Sequence, residues 1–298
     1  GINNTVLMLM DRAEPWWIPN TGHKKSGFIR SVRTENVFFA NFTIDGNKNN
    51  QNDDKYSVYG RYGVFTEAVN NVTIDTMGVM NFQGYGFDPH GVKETMTWSK
   101  GLTIINSYSY NNGWDGYTID QSSDVLLENN VAFNNGRHGF NIVTGSYNVT
   151  VVNNIAYDNG FYYYHGNPGC GIAVQNNLNY GTKNISVINN IFENNDDAGI
   201  CVKDITDIIL MNNTIANVNY TNTSINLCIK VTNSVNVVTT NNICNSTLFA
   251  PLEKKPIIPK NITQTTEKQI SSVKSSSSIQ LPPFVLITVV TIMTMFIM

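Results

Sequence analysis

Short β-branched apolar runs recur along most of this chain, each followed by a pair of polar residues and a further short apolar stretch. Asn36-Val-Phe-Phe, Asn71-Val-Thr-Ile, Gly101-Leu-Thr-Ile and Asp124-Val-Leu-Leu are four copies of one segment. Asn148-Val-Thr-Val, Asn184-Ile-Ser-Val, Asp207-Ile-Ile-Leu and Asn236-Val-Val-Thr are four more. The closest copies, at Gly101 and Asp124, are 23 residues apart, and the longer intervals hold insertions. A period in the twenties with several short strands per repeat is the signature of a solenoid. Leucine-rich repeats share the period but need a Leu and helix pattern that is missing, and no stretch keeps a helical period. The pattern predicts an all-β fold, a right-handed single-stranded parallel β-helix, with a disordered C-terminal tail. Asn129-Asn130, Asn153-Asn154, Asn189-Asn190, Asn212-Asn213 and Asn241-Asn242 then have a structural purpose. Asn tolerates left-handed backbone at tight bends, and stacked amides can bond along a ladder.

A second strand of each repeat starts at a glycine. Its copies are Gly86-Phe-Asp-Pro-His90, Gly116-Tyr-Thr-Ile-Asp120, Gly139-Phe-Asn-Ile-Val143, Gly171-Ile-Ala-Val-Gln175 and Gly199-Ile-Cys-Val-Lys203. Side chains alternate across a strand, so the apolar first and third positions after Gly face the core and the second and fourth face out. One outward column reads Asp88, Thr118, Asn141, Ala173, Cys201, and the other His90, Asp120, Val143, Gln175, Lys203. Tyr85, Asp115 and His138 precede the glycines, with Trp114 and Arg137 one residue earlier. Rungs lie about 4.8 Å apart, which gathers Tyr85, Asp88, His90, Asp115, Asp120, Arg137 and His138 within roughly 10 Å along the axis. Bland roles exist for some: Asp115 and Asp120 as turn acceptors, His138 as a surface histidine, Arg137 as the partner of Asp115. Tyr85, Asp88 and His90 together are harder to dismiss. In the same register Asn226-Leu-Cys228-Ile-Lys230 stacks on Gly199-Ile-Cys201-Val-Lys203, predicting a Cys201–Cys228 disulfide.

Composition narrows the class. The 298 residues carry a net charge of −3, which argues against a nucleic-acid partner, for which a basic excess is normal. Charged residues are only 14%, yet the apolar alternation is too regular for a disordered chain. Asn-X-Ser/Thr occurs at Asn3, Asn41, Asn71, Asn148, Asn184, Asn212, Asn219, Asn222, Asn245 and Asn261, pointing to a glycoprotein of the eukaryotic secretory route. The β-helix is expected over residues 1–250, N-terminally truncated, followed by a Pro/Ser/Thr/Lys-rich linker over 251–283. The apolar stretch 284–298 is short for a membrane span, which needs about 20 residues. Small residues, a polar spacer and a terminal apolar tail fit a GPI-anchor signal with Ser271 or Ser272 as attachment point; a tail-anchor helix is the rival. The expectation is an extracellular or cell-surface monomer that meets the membrane only through this tail.

Tyr85-Gly-Phe-Asp-Pro-His90, Asn112-Gly-Trp-Asp-Gly-Tyr117, Glu128-Asn-Asn-Val131 and Arg137-His-Gly-Phe-Asn-Ile-Val143 resemble the catalytic module of mannuronan C5-epimerases. The resemblance runs from about Thr5, through Asp45-Gly-Asn47, to Lys203. It implies a right-handed parallel β-helix that inverts C5 of mannuronate within an anionic polyuronate. The catalytic Tyr, Asp, His and Arg of that family fall on Tyr85, Asp88, His90 and Arg137. Its substrate-groove residues fall on Asp115, Asp120, His138 and Lys203, and on Lys55. The chemistry needs no cofactor, and the resemblance carries a calcium option. The family's N-terminal helical cap and its calcium-binding nonapeptide repeats have no counterpart here. A polysaccharide lyase, which shares the first step, and a polysaccharide-binding surface β-helix are the rival readings.

Overall fold

The computed structural model describes residues 5–10, 26–51, 61–92, 94–160, 169–177, 180–216 and 228–245. Lys55, Asn3, Asn219, Asn222 and Asn261, and the expected linker and tail, lie outside the described residues. Three parallel sheets stack along one axis. The first has nine strands, from Thr5–Met8 to Ile243–Asn245. The second has eight, from Ser26–Val32 to Ile229–Thr232, and the third eight, from Glu35–Ala40 to Val235–Thr240. The chain visits second, third and first sheet in turn. Phe87–His90, Ser99–Ile105 and Tyr108–Tyr110 make one turn, and Tyr117–Asp120 begins the next.

The eight copies of the repeated segment form the third sheet, in register. Val37 pairs with Val72, Val72 with Leu102, Leu102 with Val125 and Val125 with Val149. Ile185, Ile208 and Val237 continue the column. Inward-facing residues of all three sheets fill the solenoid. Phe87, Tyr117 and Phe140 stack face to face within it at centroid distances of 4.7 and 4.8 Å. The end turns described are more open: inward-facing Val37, Phe39 and Val237 are only partly buried, where Val72 and Ile74 are fully buried.

The asparagine pairs divide their labour. The first of each pair takes the left-handed bend: Asn129, Asn153, Asn189, Asn212 and Asn241 have φ between 54° and 57°. The second turns inward, where Asn130, Asn154, Asn190 and Asn213 are fully buried. Each donates Nδ2–H to Oδ1 of its successor, at 2.9 to 3.1 Å, as far as Asn242. The same oxygens accept backbone N–H groups, so the ladder satisfies the buried polar groups at the corner. Asn112, Asn135, Asn159 and Asn195 form a second ladder where the chain passes from the first sheet into the second. That ladder immediately precedes Trp114-Asp115 and Arg137-His138 and fixes the corner from which they project.

One register differs from expectation. Ile200 pairs with Ile229 and Cys201 with Lys230, so Cys228 occupies the place of the strand-opening glycine. The predicted Cys201–Cys228 bridge is therefore corrected: the disulfide joins Cys170 to Cys201, with Cα atoms 6.2 Å apart, and Cys228 and Cys244 are free. Two residues that stand before a strand-opening glycine, Asp115 and Cys170, reach diagonally to the first outward position of the next rung. Asp115 meets Asn141 by the same offset by which Cys170 meets Cys201.

Candidate functional site

The site lies on the outer face of the second sheet, over the strands Phe87–His90, Tyr117–Asp120 and Phe140–Val143. Glycine opens each strand because the rungs approach closely there. A Cβ on Gly139 would stand 2.7 Å from the Gly171 carbonyl oxygen. The register is the one the sequence implies: Thr118 opposite Asn141, Asp120 opposite Val143, Gln175 opposite Lys203. Phe87, Ile119, Ile142 and Val174 face the core. The outward columns, however, are recessed. Asp88, Thr118 and Asn141 are buried, as are His90 and Asp120. Facing away from the core does not mean facing bulk water here, so these groups act in a medium that strengthens every charge.

Asp115 is the hub. Its Oδ1 accepts from Arg137 Nε at 2.7 Å and from the His138 backbone N–H at 2.9 Å. Its Oδ2 accepts from Arg137 Nη2, Asn141 Nδ2 at 2.9 Å and Thr118 Oγ1 at 3.0 Å. Burial alone would raise its pKa, but the charge and hydrogen bonds of Arg137, then His138, outweigh it and hold it at about 2. Gln175 Nε2 donates to Asn141 Oδ1 at 3.0 Å, which fixes the orientation of the Asn141 amide toward Asp115. The bland pairing of Arg137 with Asp115 is real, and it does not consume the guanidinium. Nη2 also donates to Tyr85 Oη at 3.4 Å, and Arg137 lies over the rings of Trp114 and Tyr85, 5.1 and 5.6 Å from their centroids. Burial and Asp115 oppose each other at Arg137, and Asp115 wins, so the cation is held more firmly than usual.

Tyr85 and His90 occupy opposite ends of one strand segment. Burial pushes the Tyr85 phenol well above its ordinary value, against the pull of Arg137. His90 Nε2 lies 2.9 Å from Asp120 Oδ2, and its Nδ1 faces the Gly91 carbonyl at 3.3 Å. Both ring nitrogens thus face oxygen acceptors, an arrangement that fixes the ring. Asp88 lies on the strand Phe87–His90, between Tyr85 and His90 in the sequence. His138 accepts the Cys170 N–H on Nδ1 at 3.0 Å, which places its proton on Nε2. Burial lowers its pKa to about 4, with Asp115 opposing and Arg137 reinforcing the shift.

The structure thus brings Tyr85, Asp115, Arg137 and His138 into one cluster, and His90 and Asp120 into a pair beside it. Lys203 stays apart, exposed two strands beyond Asn141. Several participants escaped the sequence reading. Tyr62 packs 5.1 Å from the Tyr85 ring, and burial together with Asp88 and Asp120 raises its pKa. It stands before Gly63 just as Tyr85 stands before Gly86, which was the available signal. Calcium calls for clustered oxygen ligands. Among the described residues, the one close group of three His, Cys, Asp or Glu side chains is Cys170, Asp197 and Cys201, two bridged sulfurs and one carboxylate, which does not fit it.

Comparison with known proteins agrees with this fold. A family model described as a right handed beta helix region matches residues 27–215. Mannuronan C5-epimerase AlgE1 of Azotobacter vinelandii is 33% identical over 152 residues, which is 50% of this chain and 10% of that protein. Alginate lyase 7 of the same organism is 31% identical over 153 residues, 50% of this chain and 16% of that protein. The solved A-module of the Azotobacter vinelandii epimerase AlgE4 superposes with a TM-score of 0.64 at 28% identity, covering 81% of this chain and 59% of that one. The chain thus spans a small part of the curated relatives' length, and it is similar to the catalytic module of alginate-modifying enzymes.

Proposed function

The chain belongs to the right handed beta helix family, and from that premise we propose that it inverts C5 of uronate residues within an anionic polysaccharide, converting β-D-mannuronate to α-L-guluronate in alginate-like chains. The observation that carries the reading is the arrangement of two tethered proton carriers, Tyr85 beside Arg137 and His90 beside Asp120, about Asp88 on one recessed strand. The hydrogen at C5 of a uronate is weakly acidic, because the neighbouring group is already a carboxylate. Its removal puts further negative charge there, which a preorganised cation must meet. Arg137, locked by Asp115, is that cation, and Asp88, if protonated, shares the work. Inversion requires one group to take the proton on one face and another to deliver one on the opposite face. Tyr85 and His90 are the pair.

Similarity to alginate lyase 7 favours a second reading, β-elimination, in which the same carbanion expels the 4-linked sugar. One incubation with polymannuronate in heavy water separates the two. Deuterium at C5 without unsaturated ends supports the epimerase, unsaturated ends support the lyase, and neither signal overturns both. We also place the protein at the cell surface as a glycoprotein. Asn41, Asn71, Asn148, Asn184 and Asn212 are all exposed at bends bordering the third sheet, away from the recessed site, which supports that placement. Peptide mapping of glycans on protein from a eukaryotic secretory host is the check, and bare asparagines at all five would sink it.

A further inference from the structure

Three features outside the site have the makings of a function: the Cys170–Cys201 bridge, the outward Tyr110–Phe133–Tyr157 stack of the first sheet, and the charged end of the second sheet. The last carries the most. Asp197 stands two residues before Gly199, the place Arg137 occupies before Gly139. The column that holds Arg137 in the catalytic turn therefore carries a carboxylate further along, facing the same side. An anionic polymer following the sheet would meet that carboxylate and be repelled. Lys230, opposite Cys201 on the next strand, reaches back to it, with Nζ 3.1 and 3.3 Å from the two Asp197 oxygens. Both side chains reach solvent, at 44% and 23% exposure. Lys203 is exposed on the neighbouring strand, in the diagonal position to Lys230.

We infer that Lys230 extends the groove by one further carboxylate-binding subsite beyond Lys203, with Asp197 as its internal competitor. The inference rests on the polyuronate reading and names where that polymer is held beyond the reacting sugar. The register from Asn141 through Ala173 and Cys201 to Lys230 spans three rungs, about 14 Å at the usual spacing. A sugar carboxylate arriving there exchanges places with Asp197 on an exposed cation, a contact that adds hold without touching the chemistry.

The test is the ratio of KM for polymannuronate to KM for a mannuronate trimer. A trimer centred on the catalytic residues extends a single sugar either way and falls short of Lys230. Lys230→Ala should raise the ratio about five-fold at low salt, the size expected of one exposed charge contact, and the difference should fade at high salt. Lys230→Arg should restore the ratio, and Asp197→Asn, which frees the cation, should lower it. Equal changes for polymer and trimer, or an unchanged ratio in Lys230→Ala, overturn the subsite and leave the epimerase reading standing. A wild-type protein that neither binds nor alters polymannuronate overturns the reading itself, and the subsite with it.

Discussion

The arginine–aspartate pair at the centre of the site has consequences that can be measured one side chain at a time. Asp115 accepts from five donors, and what it holds in place is the planar fork of Arg137. Lysine cannot reproduce that fork, so Arg137→Lys should lose at least about 10²-fold in turnover while the fold survives. More than half the wild-type rate would remove Arg137 from the mechanism. His90→Ala and Tyr85→Phe should each abolish exchange at C5 while polymer binding persists; deuterium entering at the normal rate would break the assignment. Acid should weaken the fold in two stages. His138 titrates at about 4 in the folded state, below its ordinary value near 6.5, so the unfolded chain binds the extra proton and stability falls as pH drops between those values. Asp115, held at about 2, contributes stability that is lost as pH falls from about 4 towards 2. His138→Gln should flatten the upper limb of a plot of Tm against pH and Asp115→Asn the lower one; parallel curves would mean that neither group is linked to folding. Most of these residues were legible from their offsets to the strand-opening glycines. Tyr62 was not, because Tyr62-Gly63-Val64-Phe65 carries phenylalanine where the next three copies carry Asp88, Thr118 and Asn141. Cys170 was not, because the diagonal reach of its column is a property of three-dimensional pitch, invisible to a straight reading of register.

At the scale of the strand and the bend, the same residue type does two jobs. Asn190→Ala should cost about 2–3 kcal/mol, because it orphans partners on both neighbouring rungs of a fully buried ladder. Asn153→Gly, one position before the ladder residue at a bend of φ 57°, should be within a few tenths of a kcal/mol of neutral. Similar shifts in denaturant midpoint for the two would refute the division of labour. The stacked core holds a flaw of its own. Tyr117 sits between Phe87 and Phe140 with its hydroxyl buried and without a hydrogen-bond partner among the described residues. Tyr117→Phe keeps the stack, deletes the orphan and should raise stability by about 1 kcal/mol, read as a higher Tm. The third sheet could be read from sequence because its strands are six or seven residues long and carry a recurrent Asn, Asp or Gly at their second or third residue. The first sheet could not, since strands of three residues such as Val131–Phe133 and Ile155–Tyr157 are too short for alternation to show. The last strand of the second sheet slipped in the reading because Cys228 stands where every earlier turn has glycine, Phe28 of the first turn apart.

For the molecule as a whole, each turn touches only the turn before and the turn after, so stability is distributed along one dimension. Non-reducing peptide mapping should find Cys170 linked to Cys201, a clamp between two adjacent turns; separate peptides under oxidising conditions would refute the register of this region. The open ends described above then take on a kinetic meaning. A linear stack opens first where its turns are least tightly packed, and amide hydrogens near Phe38 and Val235 should exchange with solvent long before those of Tyr117–Asp120 and Phe140–Val143. The catalytic turns have other turns of the second sheet on both sides, so they melt last. On warming, the loss of β-sheet signal should begin before the loss of turnover. The less tightly packed turns serve as sacrificial length, consumed first while the working centre is still intact.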